Sequence, residues 1–147
     1  MSADGEKTVT GAQRPGAPDL DHASAFLAAA GLRLTHVAAD RVEGVIDLGP
    51  AQHTPWGVVH GGVYTTAVES AASVGATATV ADRGQIAVGT NNNTDFLRSM
   101  TTGTVAVTAA PVQQGRTQQL WDVQITDESG RVVARGTVRL QNIQPRR

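Results

Sequence analysis

The chain has 147 residues, with 12 Lys and Arg against 13 Asp and Glu, a net charge of -1 and no cysteine. The length fits one domain, the charge balance excludes a nucleic-acid binder working through a dense basic footprint, and the missing thiols exclude disulfides, cysteine nucleophiles and thiolate metal sites. With 40% hydrophobic residues but only two Phe, two Trp and one Tyr, small and β-branched side chains must build the core.

Residues 1–18 carry Gly, Pro, Ser and charges with almost no apolar side chain, so a disordered tail is expected ahead of a single domain over 19–147. That stretch has no apolar signal core, so an export signal is not expected. No run approaches the ~18 apolar residues of a membrane span. The expectation is a cytoplasmic protein without membrane or nucleic-acid partners. Asp19 or Asp21 is placed to cap a short helix with Phe26, Leu27 and Ala30 on one side and Gly31 as its stop. From Leu32 to Leu48 the pattern turns to period two, which predicts two antiparallel strands joined around Ala39-Asp40. Gly49-Pro50 then opens a loop to about Gly57 that holds His53, Pro55 and Trp56.

Gly61 to Ala81 is long, rich in Ala, Val, Thr and Ser, and bounded by Gly61-Gly62 and Asp82-Arg83-Gly84. It is too long for a strand and reads as one buried helix despite its β-branched residues. Four strand-like runs follow, at about 85–96, 103–113, 116–127 and 131–142, parted by Gly103, Gly115 and the Asp127-Glu128-Ser129-Gly130 turn. The expected fold is α+β, an antiparallel meander wrapped around one central helix.

Glu69 is the only charged residue between His60 and Asp82. At ~100° per residue it shares a helix face with Thr65, Ala72, Ser73 and Ala76. A carboxylate on so apolar a helix is expected to be partly desolvated, the condition that poises it for proton transfer. The alternative is that this face meets solvent and Glu69 solubilises it. Gly61 and Gly62 bring bare N–H groups to the helix N-terminus, where a developing oxyanion would be stabilised; read structurally, they are a tight turn. On one helix Gly61 and Glu69 stand ~12 Å apart along the axis, whereas reacting groups must meet within ~3–3.5 Å. If both serve one reaction, the site is shared between two antiparallel helices of a dimer.

The run His53-Thr54-Pro55-Trp56-Gly57-Val58-Val59-His60-Gly61-Gly62-Val63, followed by Glu69, resembles the signature of hot-dog fold acyl-CoA thioesterases. The nearest groups are the phenylacetate-degradation (PaaI-type) and 4-hydroxybenzoyl-CoA thioesterases. The stretch Asn93-Thr94-Asp95-Phe96-Leu97-Arg98 resembles the family's strand entering the second half of the sheet, and the likeness runs over roughly residues 20 to 142. It implies a sheet of five or six antiparallel strands curled around the helix, a homodimer as minimal unit, often paired into a homotetramer, and thioester hydrolysis without metal or bound cofactor. Coenzyme A enters as part of an acyl-CoA substrate. By resemblance Gly61 polarises the thioester carbonyl, Glu69 is nucleophile or general base, and Ser73 holds water or the acid. Thr54, with His53 beside it, stands where relatives carry Asn or Gln. His60 has the family role of a loop-locking hydrogen-bond donor, next to Gly62 at the helix start.

Arg98, Arg116 and Thr117, near strand ends or turns, are the candidates for the phosphates of coenzyme A, against a reading as solvated surface residues. Arg135 and Arg139 share one strand face that is either solvent-facing or a secondary phosphate contact. Trp56 lines the acyl pocket or packs between subunits. His22 and His36 read as structural or exposed, and no His, Asp and Glu group has metal-ligand spacing. Two competing functions remain: a hot-dog dehydratase or hydratase pairing His53 with Glu69, and a non-catalytic acyl-CoA binding module.

Overall fold

The computed structural model describes residues 18–146, so the tail expected over residues 1–18 lies, apart from Pro18, outside them. Helix α1 (Ala25–Ala30) leads into a hairpin of β1 (Arg33–Ala38) and β2 (Arg41–Leu48). A loop with a short 3-10 turn at Pro50–Gln52 delivers the chain to helix α2 (Gly61–Val80). The strands β3 (Ile86–Phe96), β4 (Gly103–Gln114), β5 (Gln118–Thr126) and β6 (Val132–Ile143) complete one sheet of 6 strands, antiparallel throughout. This is the α+β hot-dog arrangement, a sheet curved around a single helix.

The strand order β1-β2-β4-β5-β6-β3 corrects the simple meander expected from the sequence. Helix α2, at 20 residues, is ~30 Å long and carries the chain from β2 to the far edge. There β3 pairs with β6, and β4 to β6 fill the gap as a meander. β3 thus keeps one edge unpaired. A second correction concerns α1. Ser24, not Asp19 or Asp21, is its N-cap, its Oγ accepting from the Leu27 N–H at 3.2 Å; Asp19 instead accepts from the Asp21 N–H one turn earlier. Phe26 faces outward at 68% exposure, while Leu27 packs on the core and Ala30 is buried.

Period-two alternation in β2, β4, β5 and β6 turns Val42, Ile46, Val107, Val123, Val138 and Leu140 onto α2. The helix meets them with Val63, Ala67, Val68, Ala71, Ala72 and Ala76. Small side chains on α2 let the sheet come close. In the core the approach is close at Gly75, where a Cβ would lie 2.5 Å from Cη2 of the fully buried Trp121. Beside it a buried polar chain is satisfied: Trp121 Nε1 donates to Gln119 Oε1 (2.9 Å), and Gln119 Nε2 donates to the Ala76 carbonyl (3.0 Å) and Asn142 Oδ1 (2.9 Å).

Candidate active site

The loop before α2 is held by its own polar groups. His53 Nε2 donates to the Thr101 carbonyl at 2.6 Å, tying the loop to the segment between β3 and β4. The Thr54 hydroxyl accepts from the Trp56 N–H (3.2 Å), and the Thr54 N–H donates to the Val58 carbonyl (2.7 Å). Trp56 itself stands 85% exposed. His53 and Thr54 are therefore both engaged, one with the β3–β4 segment and one within the loop, and the His53–Glu69 pair a hydratase would need is not formed within the protomer.

His60 is the N-cap of α2. Its Nδ1 accepts from the Gly62 N–H at 2.8 Å, so the ring is an acceptor at the helix start, where a donor was expected. This consumes one of the two glycine donors. The Gly61 N–H has no partner among the described residues. It is an unsatisfied first-turn donor at the positive end of a 20-residue helix. A Cβ on Gly61 would lie 2.9 Å from the exposed Phe96 ring at the end of β3, so a larger residue there needs that ring to swing aside. That ring also rests against Tyr64, centroids 6.3 Å apart. Burial pushes the Tyr64 phenol above its ordinary value, and the hydroxyl has no partner among the described residues.

Glu69 lies two turns further along α2, half-buried, and points at β3 rather than into solvent. Asn92 Nδ2 donates to Glu69 Oε2 at 3.0 Å, and Glu69 takes part in none of the ion pairs among the described residues. The carboxylate lies over Gly89, where any Cβ would overlap Oε1. Ser73, one turn on, is half-buried in a shallow groove with Val37, Val74, Thr77 and Ala78. α2 is unbroken from Gly61 to Val80, so Gly61 and Glu69 of one protomer are separated by ~12 Å along the axis. A cleft of about 370 Å³ opens at the start of α2, between Phe26, Ala29 and Ala30 of α1 and Gly62, Val63 and Thr66 of α2, with His53 and His60 in its wall.

The candidate phosphate contacts do not converge within one protomer. Arg98 is exposed at the end of the sheet where α2 begins. Arg116 and Thr117 are exposed in the β4–β5 turn near the other end, held there by Asn142 Nδ2 on the Gly115 and Arg116 carbonyls (3.2 and 3.1 Å). Arg135 and Arg139 are exposed on the outer face of β6. Among the described residues no group of three or more His, Cys, Asp and Glu could hold a metal ion, and no helix is long and apolar enough to cross a membrane. Sequence reasoning missed Asn92, Thr94 and Gly89. The available signal was parity, because in a strand only alternate residues of the run Asn91-Asn92-Asn93 can face the helix.

Known proteins resemble this chain in sequence and fold. The Thioesterase superfamily model matches residues 57–134, the stretch from the helix-start loop into β6. The Mycobacterium tuberculosis protein Rv1847 is 49% identical over 118 residues, 79% of this chain and 84% of that one. Its solved structure superposes with a TM-score of 0.79 at 48% identity, covering 83% of this chain and 98% of the other. The proofreading thioesterase EntH of Cronobacter turicensis is 32% identical over 101 residues, 69% of this chain and 73% of its own. The 1,4-dihydroxy-2-naphthoyl-CoA hydrolase of Listeria monocytogenes is 32% identical over 99 residues, 66% of this chain and 80% of its own. The family match and these relatives show that the chain belongs to the thioesterase superfamily as a hot-dog fold thioester hydrolase.

Proposed function

We propose that the protein is an acyl-CoA thioesterase whose active site is completed across a homodimer, with Glu69 of one protomer and the Gly61 N–H of the other acting on one thioester. The observation that carries this reading is the free edge of β3. An 11-residue edge strand with unpaired backbone groups and exposed Val88, Phe96 and Leu97 needs a cover, and a second copy supplies it by antiparallel pairing. Gly89, under Glu69, lies toward one end of β3, and Phe96, against Gly61, lies at the other. An antiparallel β3–β3 pair with its two-fold axis near Asn92 and Asn93 sets the Gly89 end of each strand beside the Phe96 end of its partner. Each Glu69 is then brought to the opposite Gly61.

At that site the Gly61 N–H and the helix dipole stabilise the carbonyl oxygen as it takes up charge, a contribution of about 10²–10³ in rate. Glu69 delivers the attacking oxygen, its own or that of a water it deprotonates. The tetrahedral intermediate collapses with expulsion of coenzyme A thiolate. The water route leaves the carboxylic acid at once, whereas direct attack leaves a mixed anhydride on Glu69 that water then hydrolyses to the acid and free Glu69. Single-turnover hydrolysis in oxygen-labelled water separates the two routes. The apolar cleft beside α1 takes the acyl group, and Arg98 with Arg116 and Thr117 approach the phosphates from different protomers. The chemistry calls on these groups alone, with no resident cofactor.

The test mixes two inactive variants. Glu69→Gln removes the acid; Gly61→Pro removes the N–H at the first helical position, where proline suits the backbone and the exposed Phe96 ring swings aside to admit it. Each alone loses at least about 100-fold in kcat. Unfolded and refolded together, they recover about one quarter of wild-type activity, because half the dimers are mixed and each mixed dimer holds one intact site. No recovery from two variants that both form dimers, or a Glu69→Gln enzyme of near wild-type kcat, refutes the reading.

A further inference from the structure

We infer that Asn92 is the positioning residue for Glu69, aligned in turn by the Thr94 hydroxyl, so that a neutral side-chain relay on β3 fixes the working geometry of the carboxylate. This rests on the reading of Glu69 as the reacting acid. Three linked observations support it. Asn92 Nδ2 reaches Glu69 Oε2 at 3.0 Å and the Thr65 carbonyl at 3.3 Å, so the amide bridges the carboxylate to the helix turn that carries it. Two acceptor-only oxygens, of Glu69 and the Thr65 carbonyl, fix the NH₂ end of the amide, so its Oδ1 faces Thr94, whose Oγ1 donates to it at 2.7 Å. Two glycines clear the space: a Cβ on Gly89 would overlap the carboxylate, and one on Gly136 of β6 would lie 2.6 Å from Thr94 Oγ1.

The relay has a physical purpose. A flexible glutamate without a cationic partner samples several rotamers, and only a fraction of them present the carboxylate to a thioester. One amide donor fixes the orientation while occupying a single acceptor position of the four or so that a carboxylate offers. The remaining positions stay available for water or substrate. A Lys or Arg in place of Asn92 would hold the acid more strongly but compete with its attack. The charged residues of the flanking strands, Asp95, Arg135 and Arg139, are exposed on the other face of the sheet and do not contact Glu69.

The experiment measures kcat and KM for thiol release with the full chain as Asn92→Leu, Thr94→Val, Thr94→Ser and the Asn92→Leu/Thr94→Val double variant, beside Glu69→Gln. Asn92→Leu is expected to lower kcat about 10- to 100-fold, the range for losing a hydrogen bond to a charged group, with KM within about twofold. Thr94→Val is expected to lose several-fold in kcat and Thr94→Ser to restore it. The double variant should be no worse than Asn92→Leu alone, because the hydroxyl acts only through the amide. Additive losses, or Asn92→Leu and Thr94→Val both turning over at wild-type rates while Glu69→Gln is inactive, overturn the relay and leave the Glu69 reading standing. An active Glu69→Gln overturns both. If Asn92→Leu fails to fold, the Thr94 pair decides: a kcat loss on Val reversed by Ser supports the relay, and equal rates for both overturn it.

Discussion

Replacing Gly89 by alanine separates catalysis from stability. The Gly89 backbone is not in the left-handed region, so alanine fits its conformation and stabilises by about 0.4–1 kcal/mol through the unfolded chain. The added Cβ would overlap Glu69 Oε1, and the carboxylate must withdraw by about 1 Å to reach the 3.0 Å that real Cβ contacts respect. The end of a glutamate side chain moves at little cost, so the fold absorbs the change. The active site does not, since displacement of a reacting group by about 1 Å is worth roughly 10²-fold in rate. The expected result is a kcat about 100-fold lower, with Tm equal to or above wild type and an unchanged oligomeric state by light scattering. Thermal denaturation and a thiol-release assay on the same preparation suffice. Retention of kcat within threefold in a folded Gly89→Ala protein would show that the carboxylate does not work from its seat over β3.

Two further predictions concern the scaffold. Gly75→Ala forces a methyl to 2.5 Å from the ring of the fully buried Trp121 and is expected to lower stability by about 1–3 kcal/mol, read as a drop in Tm and a change in tryptophan fluorescence. In the β5–β6 turn, the Asp127 carboxylate accepts from the backbone N–H of Arg131 (3.0 Å) and Ser129 (2.9 Å) and from the Arg131 guanidinium (2.9 Å). The Arg131 N–H foremost, with its guanidinium and the Ser129 N–H, holds Asp127 below the ordinary 3.8. The folded value is the lower one, so the stabilisation is complete above 3.8 and is lost as the pH falls through the folded value. Asp127→Asn is therefore expected to lower Tm at neutral pH, with the gap to wild type closing in acid; a gap that widens on acidification contradicts this.

Much of the fold was legible in the sequence because periodicity carries it. The α2 boundaries and the strand runs follow from Gly61-Gly62, Asp82-Arg83-Gly84 and alternating apolar residues, and the structure places them within a few positions. Pairing was not legible: nothing local in β3 states that it skips β4 for β6, which follows from where a 20-residue helix delivers the chain. Glu69 stood out as a lone charge on an apolar helix. Its partner did not, since Asn92 sits between Asn91 and Asn93, and a bulge between Gly89 and Asn91 decides which residues face inward. The direction of the His60 bond was not legible either, because it depends on a Gly62 N–H that only the helix start orients. The polar pair Gln119 and Asn142 was overlooked although Gln119 shares parity with the buried Trp121 and Val123.

Parity in β3 also constrains how this enzyme can evolve. Asn92 and Thr94 point toward α2, while Asn91, Asn93 and Asp95 point away and are exposed. Exchanges among the exposed set leave the carboxylate untouched and are free to drift. Deleting a single residue between them reverses both sets at once, taking the amide and the hydroxyl away from the acid. The strand therefore accepts many spellings but only one length.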